Sequence, residues 1–114
     1  MCQKALLSCC LLTGGAYEPI PATLTLNYSE DGRDARMTPV RNNYRPKVVF
    51  NGSEVICMMR MERGAVVAPG ESGEVRLECK DPVAVARAGT RHLVVEGGKK
   101  VGVADIHLPP VPAD

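Results

Sequence analysis

The sequence of 114 residues predicts an all-β protein, a six-stranded antiparallel closed β-barrel. Eleven glycines and nine prolines exceed the usual share of these residues, which indicates many turns and short strands rather than long helices. Six segments with strand character follow one another between turn signals. These segments are residues 22–28, 47–50, 55–61, 73–80, 90–96 and 99–108. Closure into a barrel would remove the sheet edges that such short strands cannot protect.

Alternation and turn chemistry define the first two strands. Apolar and polar residues alternate from Thr23 to Tyr28, with the period of two that a half-buried strand shows. Asp31-Gly32 follows, and its glycine can adopt the positive φ of a tight turn. The second strand, 47–50, is short and β-branched, and the Asn-Gly pair after it is a hairpin-turn signal.

The remaining strands are separated by proline and glycine. An apolar run at 55–61 leads to a turn at 68–71 that has proline in its second position. Strand 73–80 has the clearest pattern, because apolar and charged residues alternate along it, so that one side faces a core and the other faces water. A final hairpin spans 90–108 across a Gly-Gly pair, and we expect 83–88 to be an extended or irregular link.

The barrel is predicted at residues 17–108, with an N-terminal extension at 1–16 and a proline-rich tail at 109–114. The apolar stretch in the extension is too short and too interrupted for an export signal, so we expect a helical turn or a strand that covers the barrel. No stretch of the sequence stays apolar for long enough to cross a membrane as a helix, and no membrane partner is expected.

Cysteine usage predicts a reducing environment. The cysteines are odd in number and three of them are crowded at the N-terminus: Cys2, Cys9, Cys10, Cys57 and Cys79. A secreted disulfide framework would need an even, dispersed set, so a cytoplasmic location is predicted, with Cys57 and Cys79 as core filler. There is no C-x-x-C pair and the two histidines lie far from zinc-finger spacing, so no metal site is expected.

Charge does not identify a partner by itself. Fourteen basic and thirteen acidic residues give a net charge of +1, and neither half of the chain forms a basic arm or an acidic tail. Residues 35–53 are the exception, because they carry four basic side chains and no acidic one. These are Arg36, Arg41, Arg45 and Lys47. They could contact phosphate groups or form the solvated rim of a loop.

No catalytic motif is present. The sequence has no phosphate-binding loop of the type G-x-x-x-x-G-K-[ST] and no G-x-S-x-G nucleophile elbow. Asp105 and His107 share a face of a predicted strand, but no nucleophile is tied to them, so we interpret them as exposed polar residues. We therefore expect no enzymatic activity.

Four segments stand out by their order and spacing. They are 38–50 (Thr-Pro-Val, then Asn-Tyr-Arg-Pro-Lys), 67–71 (Val-Ala-Pro-Gly-Glu), 81–84 (Asp-Pro-Val-Ala) and 95–102 (Val-Glu-Gly-Gly-Lys-Lys-Val-Gly). In this order they resemble the C-terminal, third β-barrel domain of elongation factor Tu and related translation factors. The family has a Gly-Tyr-Arg-Pro segment, a Met-Pro-Gly-Asp turn and a closing Arg-Glu-Gly-Gly-Arg-Thr-Val-Gly hairpin at the corresponding places.

The resemblance implies a barrel without the family's nucleotide-binding domain, so no nucleotide or other cofactor is expected. In the family this barrel packs on the GTPase domain, docks a nucleotide-exchange protein and touches the T-stem of aminoacyl-tRNA. The family's tRNA-contacting glutamate corresponds to Glu96, with Gly97 beside it, and a carboxylate there can accept a hydrogen bond from a ribose 2′-OH. A contacting glutamine corresponds to Lys47, and a contacting threonine corresponds to Ile56, which lacks the hydroxyl.

These observations predict a stand-alone, non-catalytic binding module, with two hypotheses for its partner. The first is a translation-associated module that binds a tRNA stem weakly. Its predicted RNA-binding residues are Glu96, Gly97, Lys47, Arg45 and Lys99. The second is a protein-interaction module that imitates or competes with elongation factor Tu for a protein partner, which the loss of the threonine at Ile56 favours. A third interpretation also stays open, in which the Glu-Gly-Gly segment is only the turn that the barrel needs.

Overall fold

A computed structural model describes residues 11–87 and 89–108. This part of the chain forms ten β-strands and contains no helix. The strands are β1 (Leu11–Gly14), β2 (Pro19–Leu26), β3 (Val40–Arg41), β4 (Lys47–Phe50), β5 (Ser53–Arg60), β6 (Val66–Val67), β7 (Ser72–Cys79), β8 (Val83–Ala86), β9 (Arg91–Glu96) and β10 (Lys99–Ile106). The proline-rich tail predicted at 109–114 and most of the predicted extension lie outside the described residues.

Six of these strands close into an antiparallel barrel in the order β10-β2-β7-β5-β4-β9, and β9 pairs with β10 to complete the ring. The predicted fold class is therefore confirmed. The predicted segments match the barrel strands, with ends displaced by at most three residues. Tyr28, predicted to lie on the core face of the first strand, lies beyond the end of β2 and is 69% exposed.

Two hairpin turns fix the register of the barrel strands. Asn51 and Gly52 join β4 to β5, and Gly97 and Gly98 join β9 to β10, all with positive φ. Two successive residues with positive φ give the turn that matches the right-handed twist of the flanking strands. The second hairpin therefore pairs Lys99 directly with Glu96 across the turn.

The barrel interior is filled by the alternate residues of its strands. In β2 and β7 every second residue is buried while the intervening ones are exposed or half-buried, as the period of two predicts. The largest fully buried side chains are Leu24, Leu26, Met59, Leu77, Val48, Val85, Val94, Val101, Cys57 and Cys79. None of these ten side chains is aromatic, so the core rests on aliphatic rather than aromatic packing. Burying each aliphatic side chain of this size contributes about 1.5–3 kcal/mol.

The two central cysteines correct the prediction from cysteine usage. Cys57 of β5 and Cys79 of β7 face each other directly in the strand register, and both are buried, as expected for core residues. They are joined in a disulfide, however, and are not free thiols. The sequence argument failed because it counted cysteines along the chain, whereas pairing depends on the register of two strands 22 residues apart. Disulfides are rare in the cytosol, so the bond also counts against the argument that led to a cytoplasmic location.

Two small sheets lie beside the barrel. β3 pairs with β6, and β1 pairs with β8, both antiparallel. The link expected at 83–88 is thus extended, and its first four residues form a strand that pairs with the part of the N-terminal extension at 11–14. Val83 and Val85 of β8 belong to the same core cluster as the barrel residues. The core therefore extends beyond the closed ring.

Within the described residues, no helix could span a membrane.

Candidate functional site

The hairpin between β9 and β10 ends in a set of polar contacts that we call the clasp. Its members are Arg36, Tyr44, Glu96 and Lys99. The Glu96 carboxylate accepts hydrogen bonds at Oε1 from the Arg36 guanidinium and from the Tyr44 hydroxyl, the latter at 2.5 Å. The Arg36 guanidinium also lies 4.9 Å from the centre of the Tyr44 ring, in a cation–π contact. The carboxylate of Glu96, which was predicted to contact RNA, is therefore already hydrogen-bonded to two side chains of the same protein.

The clasp shifts the acid–base properties of its members. Partial burial alone would raise the pKa of Glu96, but hydrogen bonds from Tyr44 and Arg36 and the Arg36 charge outweigh it, so the pKa lies below its ordinary value. Burial raises the pKa of the Tyr44 phenol, and the hydrogen bond to Glu96 raises it further. At neutral pH Tyr44 is thus a protonated donor and Glu96 an ionised acceptor.

Lys99 closes the other side of the clasp. Its Nζ donates hydrogen bonds to the carbonyl oxygens of Gly32 and Ala35, at 3.1 and 3.2 Å. These carbonyls belong to the loop between β2 and β3, which Arg36 also anchors through the carbonyl and hydroxyl of Thr38. Lys99 and Glu96, both predicted to contact RNA, therefore hold this loop against the hairpin. Gly97, between them in the chain, is exposed in the turn.

Lys47 lies on a different part of the barrel surface. It stands opposite Ile56 on β5 and opposite Val95 on β9, so it is the centre of a three-strand patch that ends next to Glu96. Its Nζ lies 3.7 Å from the Glu54 carboxylate, with both side chains about half exposed. An ion pair of this kind contributes about 0–1 kcal/mol and leaves the ammonium accessible to solvent and ligands.

Arg45 lines a shallow pocket on the outer side of β5 and β7, which we call the recess. The recess has a volume of about 150 Å³ and is lined by Tyr17, Arg45, Ile56, Met58, Glu78 and Lys80. Ile56 and Met58 flank Cys57, and Glu78 and Lys80 flank Cys79. Because side chains alternate across a strand, the disulfide points into the core directly beneath the recess floor. The covalent bond thus fixes the register of the two strands that form the recess.

The recess carries basic groups that the chain leaves accessible. Its one carboxylate, Glu78, accepts a hydrogen bond from Arg60 at 3.3 Å and is mostly buried. Among the described residues, Arg45 makes only a long contact with the sulfur of Met58, at 3.8 Å, and it is exposed. Lys80 is exposed and its side chain makes no ion pair with them. The recess therefore presents two cations to solvent, while its carboxylate is paired with Arg60.

The four basic residues of 35–53 are divided among different surroundings. Arg36 belongs to the clasp, and Arg41 lies on β3, which pairs with β6. Arg45 and Lys47 share the face formed by β4 and β5. Arg36 is engaged by Glu96, whereas the other three are exposed and remain candidates for phosphate contact. A distant acidic residue therefore excludes Arg36, since Glu96 comes 60 residues after it.

Asp105 and His107 do not interact. Asp105 accepts a hydrogen bond from the Thr90 hydroxyl at 2.8 Å, while Nε2 of His107 lies 2.8 Å from the Thr23 hydroxyl and 3.0 Å from the Glu74 carboxylate. The hydrogen bond from Thr23, followed by those involving His107, lowers the pKa of Glu74. The cluster of Thr23, Glu74 and His107 is exposed on the barrel surface.

A wider groove lies between the β4–β5 turn and β8. It has a volume of about 720 Å³ and is lined largely by apolar residues, among them Phe50, Val55 and Val83. The Asn51 side chain donates to the carbonyl of Ala84 at 3.5 Å across one side of the groove. The groove does not adjoin the predicted RNA-binding residues.

Sequence reasoning missed Tyr17 and Lys80, and it did not foresee that Arg36 binds Glu96. Tyr17 and Lys80 come from segments 63 residues apart, which the β2–β7 register and a hydrogen bond from the Tyr17 N–H to the carbonyl of Cys79, at 2.7 Å, bring together. The outward position of Lys80 follows from the alternation along 73–80, but its proximity to Arg45 needs the β5–β7 register. A scan against protein-family models matches this chain to none of them. The resemblance described above therefore rests on the order of its four segments.

Proposed function

We propose that this protein is a non-catalytic, translation-associated RNA-binding module that contacts the backbone of a tRNA stem, as does the C-terminal barrel of elongation factor Tu. One observation carries the proposal. Lys47 and Glu96 were inferred from separate motifs that lie far apart in the chain, yet Lys47 stands directly opposite Val95, the residue before Glu96. Positions carried over by a chance resemblance would have no reason to be neighbours.

Local charge supports an anionic partner. The outer face of β4, β5 and β7 carries five basic and three acidic side chains: Arg45, Lys47, Arg60, Arg76 and Lys80 against Glu54, Glu74 and Glu78. The chain as a whole is almost neutral, so the basic excess is confined to this face. We assign the phosphate contacts to Lys47 and Arg45, whereas Glu96 and Lys99 hold the hairpin in position from within the clasp. Gly97 supplies an exposed backbone that a ribose can approach closely.

The small number of cations limits the affinity. Two or three phosphate contacts predict that a fourfold rise in salt concentration weakens binding by about 10- to 40-fold. Binding that depends so strongly on salt is expected of a single module that contributes part of a larger interface.

The test is binding of purified tRNA to the full chain at about 50 and 200 mM salt. Lys47→Glu should weaken binding at the lower salt concentration and leave the melting temperature within about 2 °C, because Lys47 makes only a surface ion pair. Arg91→Glu is the matched control, since it makes the same charge change at the other end of β9. If both variants bind tRNA like the wild type, the proposal is wrong.

A protein partner is the second candidate, and exposed apolar surface favours it. Tyr17 and Ile56 are 61% and 39% exposed and lie together at the recess. A protein-interaction module would retain a defined partner, such as a translation factor, from a lysate after ribonuclease treatment and at the higher salt concentration. Retention of RNA that is lost under both treatments would instead support RNA binding.

A further inference from the structure

We propose that the recess holds one unpaired nucleotide of the bound RNA, with its base stacked on the Tyr17 ring and its phosphate between Arg45 and Lys80. The inference deepens the proposed function and rests on it. It predicts that the module prefers a stem that carries an unpaired nucleotide over a fully paired one.

The conformation of Tyr17 is the first argument. Its φ of 65° lies in the left-handed region, which a bulky residue adopts only at a cost and which glycine or asparagine occupies more readily. The chain holds this conformation through the hydrogen bond from the Tyr17 N–H to Cys79 and through a turn in which Glu18 donates to Gly15. The ring nevertheless stays 61% exposed, so core packing does not compensate for the strain. The backbone of Tyr17 is thus fixed at the edge of the recess, and an exposed aromatic ring there is a stacking surface for a base.

The shape of the recess is the second argument. A volume of about 150 Å³ is well below the roughly 300–1,000 Å³ of pockets that enclose a whole small molecule. The floor is formed by the apolar side chains of Ile56 and Met58, which suit the face or edge of one planar ring. One base therefore fits, whereas a larger metabolite would remain mostly in solvent.

Charge is the third argument, and it indicates that the ligand carries a negative charge next to its planar ring. Arg45 and Lys80 both line the recess, and Glu78 is neutralised by Arg60. A neutral or cationic aromatic ligand would gain nothing from these two cations. A nucleotide presents a base and a phosphate together, which matches one ring and two cations. Duplex RNA keeps its bases stacked inside the helix, so only an unpaired nucleotide can reach Tyr17.

The experiment compares two RNA duplexes of the same stem sequence, one blunt-ended and one with a single-nucleotide 3′ overhang. The wild type should bind the overhang duplex about tenfold more tightly, in the range found for stacking of one base on an aromatic side chain. Tyr17→Ala should remove the difference and Tyr17→Phe should retain it. Tyr28→Ala is the matched control, because Tyr28 is 69% exposed but lies outside the recess.

Two outcomes separate the inference from the function on which it rests. If the wild type binds both duplexes equally while Lys47→Glu still weakens both, the recess does not hold a nucleotide and RNA binding stands. If the wild type binds neither duplex and no tRNA, the proposed function fails together with the inference. Retention of the overhang preference in Tyr17→Ala, with its melting temperature unchanged, would also overturn the inference.

Discussion

The clasp and the recess both contain basic and aromatic residues, but they use them in opposite ways. In the clasp, Arg36, Tyr44 and Glu96 satisfy one another, and the Arg36 side chain is only 19% exposed. In the recess, Arg45 and Lys80 face solvent, and Tyr17 is 61% exposed. A charged side chain that is hydrogen-bonded within its own chain has already exchanged water for that partner. A ligand can bind such a side chain only by displacing the partner.

This difference changes which residues we expect to contact RNA. The Glu-Gly-Gly hairpin carries the resemblance to the translation factors, yet its carboxylate and its following lysine stabilise the fold. On the face next to it, by contrast, the cations Arg45 and Lys80 are accessible. Substitutions in the clasp should therefore reduce stability, and substitutions in the recess should reduce binding.

The largest expected effect is on stability, and it concerns the disulfide that lies beneath the recess. Reduction of the disulfide between Cys57 and Cys79 should lower the free energy of unfolding by about 3 kcal/mol, since the bond closes a loop of 22 residues in the unfolded chain. Both cysteines are buried, so the bond should react only when the chain unfolds. Urea unfolding with and without a thiol reductant measures the difference.

The control for this measurement is a variant with Cys2, Cys9 and Cys10 replaced by serine, which leaves only the two central cysteines. It should show the same loss on reduction as the wild type. Equal unfolding midpoints in the presence and absence of reductant would mean that the two thiols are not bonded in solution. The recess would then lack its covalent support.

The barrel could be predicted from the strand pattern of the sequence, whereas the disulfide could not. Alternation along 73–80 and the Asn-Gly and Gly-Gly pairs after Phe50 and Glu96 are local signals, because each follows from the backbone geometry of a few residues. The pairing of Cys57 with Cys79 is not local, because one residue of slip between β5 and β7 would place the two side chains on opposite faces. The pairing of β1 with β8 could not be predicted for the same reason, since the two strands lie far apart in the chain.

The second expected effect tests whether the clasp stabilises the fold. Glu96→Ala removes an acceptor from Arg36 and Tyr44 and should cost about 1 kcal/mol, less than for a buried charged hydrogen bond because the Glu96 side chain is 43% exposed. Since the pKa of Glu96 is lowered in the folded protein, its contribution is present at neutral pH and is lost as the pH falls below its ordinary value of 4.5.

Unfolding of the wild type and of Glu96→Gln between about pH 7 and pH 3 measures this contribution, because the variant keeps an acceptor oxygen but cannot titrate. The stability difference between them should shrink as the pH falls. Glu62→Gln, at an exposed loop position, is the control and should stay within about 0.5 kcal/mol of the wild type. A difference that is constant with pH would show that the charge of Glu96 does not stabilise the fold.

The candidate site was predictable only in part, for a related reason. The basic run at 35–53 predicted phosphate contact or a solvated rim, but its four members lie in different surroundings. The contact that engages Arg36 could not be predicted from the run itself, because Glu96 lies far along the chain. Lys80 and Tyr17 carry no motif at all, and the β5–β7 register and one backbone hydrogen bond bring them to Arg45.

The smallest expected effect separates the two regions most sharply, because it compares the same substitution in each. Lys99→Met in the clasp removes hydrogen bonds to Gly32 and Ala35 and should cost about 0.5–1 kcal/mol of stability, with little change in the salt dependence of RNA binding. Lys80→Met in the recess should leave stability within about 0.5 kcal/mol of the wild type and reduce the slope of log affinity against log salt by about one. The slope counts the phosphate contacts that a protein makes, so it distinguishes a lysine that touches RNA from one that only supports the surface nearby. If Lys99→Met lowers the slope and Lys80→Met does not, the hairpin contacts RNA, and the assignment of the two regions must be reversed.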